Sequence, residues 1–344
     1  MNEQQQLIKD TLDRMLTDLC TPEVVDKTEA GTFAKDLWNA LAETGLTVAG
    51  LPEGSGGAGG ELEDSLLVIR ESARYAAPIP LAEHFVAGMM IAMQDGKVGH
   101  EILTVATGDF QVDASGKVTG SGEAPFGRWA DRIVFVADAS GTAKLCVMPT
   151  SDLSIEEAMS IAGEPRDIIT VDVTPDGNAV MTTDDDSGDK LKLMMAAVRA
   201  LQMSGALESA LELSVQYAME RNQFGKPISK FQAIQQQLAN LAGEVAASTM
   251  AGHAVTAAFR DLDAVDIAIG KTRIGEAVSL GTDIAHQVHG AMGYTLEHTL
   301  NHRTRRLWNW RDEYGTEREW QVMIGQAFLK GGADTVWQAI TERR

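Results

Sequence analysis

From Glu3 to about Lys97 the apolar residues return at helical spacing, first as Leu7, Leu12, Met15, Leu16 and Leu19 and later as Leu62, Leu66, Leu67 and Ile69. A 3.6-residue period puts such positions on one face, so this stretch predicts a helical domain. Between about Gly99 and Thr183 the pattern shortens to β-favouring runs, Ile102 to Ala106, Ile133 to Val136, Leu145 to Met148 and Ile168 to Val173, parted by turns rich in glycine, aspartate and serine. These predict strands of a small β-barrel-like domain. Asp184, Asp185, Asp186 and Ser187 then supply N-cap candidates and first-turn negative charge for a long helix running toward Glu220. Three more Ala/Leu/Met-rich stretches, Ser229 to about Arg260, Asp263 to about Gly290 and Glu317 to about Arg343, complete a four-helix bundle. The expectation is a mainly α protein with a central β domain: residues 1–98 helical, 99–184 β, and 185–344 the bundle.

The chain has 344 residues, enough for two or three packed units. Its 29 basic and 49 acidic residues leave a net charge of −20, a field that repels phosphate backbones and anionic lipid. General nucleic-acid binding is therefore not expected. Cys20 and Cys146 stand far apart with no metal-ligand spacing, which suits a reducing cytoplasm and predicts neither a disulfide framework nor a zinc site. No apolar run approaches the roughly 20 residues that cross a bilayer, and no internal repeat of 20 to 50 residues is evident.

Gly54, Gly56 and Gly59 satisfy GxGxxG after the apolar segment Leu46 to Leu51, which raises a nicotinamide-binding reading. That loop needs a parallel βαβ unit and an acidic residue about 20 positions on, whereas the next segment is helical and leads to Pro78 and Pro80. The expectation is a flexible connection between helices, with Pro52 setting a bend.

Two blocks carry a more specific signal. Arg221, Asn222, Gln223, Phe224, Gly225, Lys226, Pro227 and Ile228, followed by Phe231, Gln232, Ala233 and Ile234, resemble the RxQFGxxI...FQAI signature of acyl-CoA dehydrogenases. Gln287, Val288, His289, Gly290, Ala291, Met292, Gly293, Tyr294 and Thr295 are similar to that family's QxxGGxGYT segment, in the expected order and at the expected distance. The resemblance implies an α, β, α architecture, a bound FAD, an acyl-CoA substrate, and electron delivery to an electron-transfer flavoprotein. It also implies that Arg221, Phe224, Gln232, Gln287 and Gly290 reach across an interface to a neighbour's flavin. The chemistry suits these residues, because arginine offers a planar fork of donors to a pyrophosphate and glycine admits close backbone approach.

Other positions depart from the family pattern. The resemblance implies a glutamate base directly before Gly-Thr, 27 residues beyond the block's glutamine, and here that position is Tyr314. A phenol with a reference pKa near 10 is a poor base at neutral pH. The alternative family location on the first bundle helix falls at Met195 and Ala196 and is vacant. Glu313 is the nearest carboxylate, with a surface carboxylate as its bland reading. Segments that contact the flavin ring in the family are replaced by Leu103 to Gln111 and by Gly122 to Trp129. What would serve a neighbour's flavin is present, and what a self-contained site needs is missing. The expectation is one subunit of a heteromeric FAD-dependent acyl-CoA dehydrogenase, tetrameric with a homologous chain or with itself, whose catalytic glutamate lies on a partner. The pattern resembles the paired subunits of bacterial steroid side-chain degradation, which implies bulky CoA thioesters. The alternative is a scaffold subunit without flavin.

Arg303, Arg305 and Arg306 form the densest basic cluster and are candidates for phosphate contacts or intersubunit ion pairs. Trp308, Trp310 and Trp320 read as core or interface, and Met194, Met195 and Met203 as helix core. His286 and His289, at i and i+3, lack a third metal ligand, so no metal site is expected.

Overall fold

The computed structural model describes residues 2–341 except 176 and 178. Two compact units emerge, residues 1–198 and 199–344.

The first unit opens with helices α1 (Glu3–Leu19), α2 (Pro22–Glu29), α3 (Lys35–Glu43), α4 (Leu62–Arg74) and α5 (Leu81–Ala92). Asn2 starts α1 through a reciprocal capping box with Gln5. Leu12, Leu16, Leu37, Trp38, Leu41 and Val68 bury the apolar stripes in one core. Glu71 on α4 is 1% exposed and meets Lys9, Arg70 and Arg74, the last at 2.9 Å. Burial pushes its carboxyl up, but the three cations outweigh that and hold it below the ordinary carboxylate value.

The glycine loop is not a flexible connection. A Cβ on Gly57 would lie 1.7 Å from the Leu51 carbonyl oxygen, and one on Gly56, at φ +96°, would lie 2.2 Å from that of Val98. The glycines let backbone pack on backbone, sealed by Val98 N–H donating to Ser55 O at 2.9 Å. The segment before the loop, Leu46–Val48, is a 3-10 turn rather than a strand, so the dinucleotide setting is missing.

Eight strands follow: β1 (Leu103–Val105), β2 (Thr107–Val112), β3 (Val118–Pro125), β4 (Arg132–Asp138), β5 (Ala143–Pro149), β6 (Ser154–Glu156), β7 (Arg166–Val173) and β8 (Val180–Thr182). They form one curled sheet in the order β6-β7-β3-β2-β4-β5-β8, with β1 parallel to β4. The expected runs fall on β1, β4, β5 and β7. The hydrophobic pattern missed β2 and β3 because Gly108, Gly120 and Gly122 read as turns. In the sheet these glycines permit close strand approach, since a Cβ on Gly108 would sit 2.2 Å from Ser121 O.

Helix α6 (Ser187–Glu220) leads into the second unit. Within that unit a short hairpin, β9 (Asn222–Gln223) and β10 (Lys226–Pro227), precedes α7 (Gln232–Phe259) and α8 (Ala264–His289). Asp263 caps α8 by accepting from Val265 and Asp266 N–H. Then come α9 (Leu300–Asp312), α10 (Glu317–Gly331) and α11 (Ala333–Thr341). Two expectations change here. The stretch from Glu317 to about Arg343 is not one helix, because Gly332 at φ +80° breaks it; Arg343 lies outside the described residues. Helix α9 was not foreseen, because its buried face carries Arg306, His302, Thr304 and Asn301 beside Leu300, Leu307 and Trp310, which hides the apolar period.

Candidate functional site

The arginine block forms at the end of α6. Arg221 N–H donates to Tyr217 O at 2.9 Å, and Ile228 N–H returns to Arg221 O at 2.8 Å, which closes the hairpin on the helix end. Gln223 pairs with Lys226 across a two-residue turn made by Phe224 and Gly225, at φ +51° and +80°. Positive φ at both central positions is the type I′ geometry that favours Asn-Gly. A phenylalanine there is strained, and it is also 92% exposed. Its ring stands edge-on to that of Phe231, with centroids 6.1 Å apart.

Helix α7 starts at Gln232, and no side chain caps its first turn. Its orphan N–H groups and the positive end of its dipole therefore face outward beside the hairpin, a setting that favours an anion. Arg221, Gln232, Gln287 and Gly290 are all exposed.

The glycine block caps α8. Gly290 takes φ +59° and ψ −139°, a combination open to glycine, and its N–H donates to His286 O. Nothing lies within 4 Å of where its Cβ would be, so space beside its backbone stays open. The chain then turns through the 3-10 segment Gly290–Tyr294. Gly293 packs tightly there, since a Cβ would lie 3.0 Å from His289 Cβ and 3.1 Å from His286 Nδ1.

A stack of rings joins the two blocks. Tyr217 lies 4.5 Å from His289 at 26° between planes, and His298 stands edge-on to both, 4.6 Å from His289 and 6.0 Å from Tyr217. His289 donates from Nδ1 to Ala285 O at 2.8 Å. Burial pushes this imidazole down to about 4 and lowers His286 and His298 as well. His286 faces elsewhere, stacked on Tyr294 at 4.5 Å, so the two histidines do not share one ligand direction. All five residues assigned from the resemblance, Arg221, Phe224, Gln232, Gln287 and Gly290, thus come to one end of the bundle. Around them Phe224, Tyr294 and Leu296 are exposed to 92%, 75% and 78%, and Met292 to 38%.

The position of the family's base lies in the turn after α9. Tyr314 takes φ +56° and Gly315 φ +112°. Glu313 is not a surface carboxylate: its side chain is 11% exposed, Oε2 accepts from Arg199 Nε at 2.6 Å, and Oε1 accepts from Asn309. The Arg199 guanidinium also lies 5.7 Å from the Tyr314 ring centre. Lys271, 2% exposed on α8, donates from Nζ to Trp310 O at 3.0 Å and to Arg311 O at 2.7 Å. Trp320 Nε1 donates to Gly315 O at 3.1 Å. The turn is therefore held on both flanks, and each Glu313 oxygen accepts a hydrogen bond. Sequence reasoning had no signal for Arg199 or Lys271, whose burial lies in otherwise apolar helix faces.

The basic cluster turns largely inward. Arg306 is fully buried and donates to His302 O, while Arg303 and Arg305 are half-buried against Ser209 and Asn301. Arg306 is thus no phosphate contact. Of the three tryptophans expected in core or interface, Trp310 and Trp320 are core, while Trp308 is 36% exposed.

Residues 2–101 match the acyl-CoA dehydrogenase N-terminal domain, and residues 193–317 match the acyl-CoA dehydrogenase C-terminal domain. The chain belongs to the acyl-CoA dehydrogenase family, whose members are flavoprotein oxidoreductases. It is similar to acyl-CoA dehydrogenase IpdE2 of Mycolicibacterium smegmatis, at 28% identity over 320 residues, covering 87% of this chain and 91% of that protein. Benzylmalonyl-CoA dehydrogenase of Aromatoleum aromaticum is 26% identical over 351 residues, 89% of this chain and 92% of that one. Among solved structures, a chain of the ChsE4-ChsE5 complex from Mycobacterium tuberculosis matches with a TM-score of 0.85 at 21% identity, covering 96% of this chain and 98% of that one. Butyryl-CoA dehydrogenase from Megasphaera elsdenii gives a TM-score of 0.82 at 20% identity, with 96% and 99% covered. These structural likenesses establish the shared fold. Among the described residues no helix is long and apolar enough to cross a membrane.

Proposed function

We propose that this chain is one subunit of a heteromeric FAD-dependent acyl-CoA dehydrogenase, and that it holds the adenosine-diphosphate end of a flavin whose reacting end and glutamate base belong to a homologous partner. One observation carries the reading: anion donors and exposed apolar side chains gather at one end of the bundle, while the base position holds Tyr314 beside an engaged Arg199–Glu313 pair.

The donor set fits FAD. Arg221 offers a bidentate fork to the pyrophosphate, the uncapped start of α7 at Gln232 adds N–H groups, and Gln287 contributes an amide. The open space beside Gly290 lets the ligand come against backbone. Bound FAD supplies a two-electron acceptor for the substrate's β-hydrogen. This chain's residues bind and orient that cofactor, and Phe224, Tyr294 and Leu296 exclude water by packing on the partner. The α-proton goes to the partner's glutamate, because neither Tyr314 nor Glu313 is set up to receive it. In this division of labour residues 185–344 supply the flavin contacts, and 1–98 and 99–184 are the remaining domains. The name of one relative, benzylmalonyl-CoA dehydrogenase, supports a bulky acyl-CoA substrate, and the family likeness supports electrons passing on to an electron-transfer flavoprotein.

The experiment is co-purification with a homologous acyl-CoA dehydrogenase chain, followed by the Arg221→Ala variant. The reading expects a yellow mixed assembly that loses flavin on that change. A chain that alone forms a yellow, acyl-CoA-reducible oligomer would refute it.

A further inference from the structure

We propose that Tyr217 and His289 are positioning residues: their ring stack sets the register between the arginine hairpin and the glycine block, so that both address one dinucleotide. The inference rests on the flavin-holding reading above.

Tyr217 stands one helical turn before Arg221 and accepts its N–H through the backbone, so the angle of that last turn of α6 aims the guanidinium. His289 immediately precedes Gly290 and follows Gln287 by two residues, so the seat of its ring fixes where the open glycine backbone begins. The two blocks are 66 residues apart, counting from Arg221 to Gln287, and among the described residues no strand pairing joins them. Deeper in the bundle, α6, α8 and α9 meet at the small cluster Ala210, Ala285 and Leu300, with Leu213 packed against it. The stack is the layer between that cluster and the exposed donors, with Tyr217 and His289 at 4.5 Å and near-parallel.

The imidazole suits a strut. Its Nδ1–H is tied to Ala285 O on its own helix at 2.8 Å, which fixes the ring rotamer while leaving a face for Tyr217. Its Cβ also seats the 3-10 turn, because Gly293 packs closely against it, a Cβ there lying 3.0 Å from that of His289. His298 closes the edge at 4.6 Å. At 2% exposure His289 is shielded from solvent. Its effect on the cofactor passes through Arg221, Gln287 and Gly290, whose donors must meet the pyrophosphate within hydrogen-bond reach.

The test uses the flavin-loaded assembly, stripped of FAD and titrated with FAD by visible absorbance, together with thermal denaturation of the stripped protein. An aromatic contact supplies about 0.5 to 1.5 kcal/mol, so Tyr217→Ala and His289→Ala are each expected to raise the FAD dissociation constant about two- to twelvefold. The double variant should cost no more than the worse single one, and Tyr217→Phe should bind like the wild type. If an alanine variant does not fold, the comparison of Tyr217→Phe with Tyr217→Leu replaces it: the ring is expected to hold affinity and the branched aliphatic to lose it. Unchanged FAD affinity in every ring-deleting variant, or strictly additive losses, would overturn the strut while a loss in Arg221→Ala still upheld the flavin site. Should Arg221→Ala also bind FAD normally, the underlying reading fails, and the strut with it.

Discussion

Lys271 gives a measurable test of how the turn around Tyr314 is held. Its amine is 2% exposed, and burial, opposed by Glu317 and reinforced by Arg199, pushes it down to about 7 from 10.5. The folded pKa lies below the unfolded one, so between about pH 7 and 10.5 the unfolded chain binds the extra proton, and stability rises with pH across that window. Relative to Lys271→Met, which does not titrate, the wild type should therefore gain about 2 kcal/mol between pH 7 and pH 9, the slope rising toward about 1.4 kcal/mol per pH unit once the folded amine is neutral. The methionine also strands the Trp310 and Arg311 carbonyls, at roughly 1 to 3 kcal/mol each, at both pH values. Chemical denaturation of both proteins at pH 7 and pH 9 separates the two contributions. A stability difference that is the same at both pH values would mean that the two carbonyls keep the ammonium charged, and the argument from burial would fall.

Other expectations follow from the same physics. Phe224→Asn places a residue tolerant of positive φ in the type I′ turn, so the thermal midpoint should not fall while FAD and partner affinity do; unchanged affinity in a titration would show that the exposed ring contacts nothing. Glu71→Gln leaves Lys9, Arg70 and Arg74 around a neutral group and should cost about 3 kcal/mol at pH 7 by urea denaturation. Because the carboxyl is held below 4.5, the wild type's advantage is present above that value and disappears as pH falls through the folded pKa. An advantage that persisted under acid would contradict the assignment.

The sequence exposed elements whose burial is apolar and periodic, and concealed those whose burial is polar or glycine-rich. Helices α6, α7 and α8 were legible because small and aliphatic residues recur along their inner faces, Ala, Leu and Met on α6 and Ile, Val and Ala on α8. Helix α9 was not, since Arg306 and His302 occupy its core side. Strands β2 and β3 were hidden by glycines that serve close strand approach. At the site, Arg221 and Gly290 could be named because the spacing within each block is local. The stack of Tyr217 on His289 and the pair of Arg199 with Glu313 join positions far apart in sequence, and no local pattern announces them. The one-residue difference between Glu313 and Tyr314 shows the limit most clearly, since burial of the carboxylate depends on an arginine 114 residues away.

The most direct measurement is the visible spectrum and native mass of this chain purified alone and with a homologous acyl-CoA dehydrogenase chain. The account predicts a colourless protein alone and a flavin spectrum in a mixed oligomer, lost on Arg221→Ala. Full flavin occupancy and bleaching by an acyl-CoA in the chain alone would contradict it.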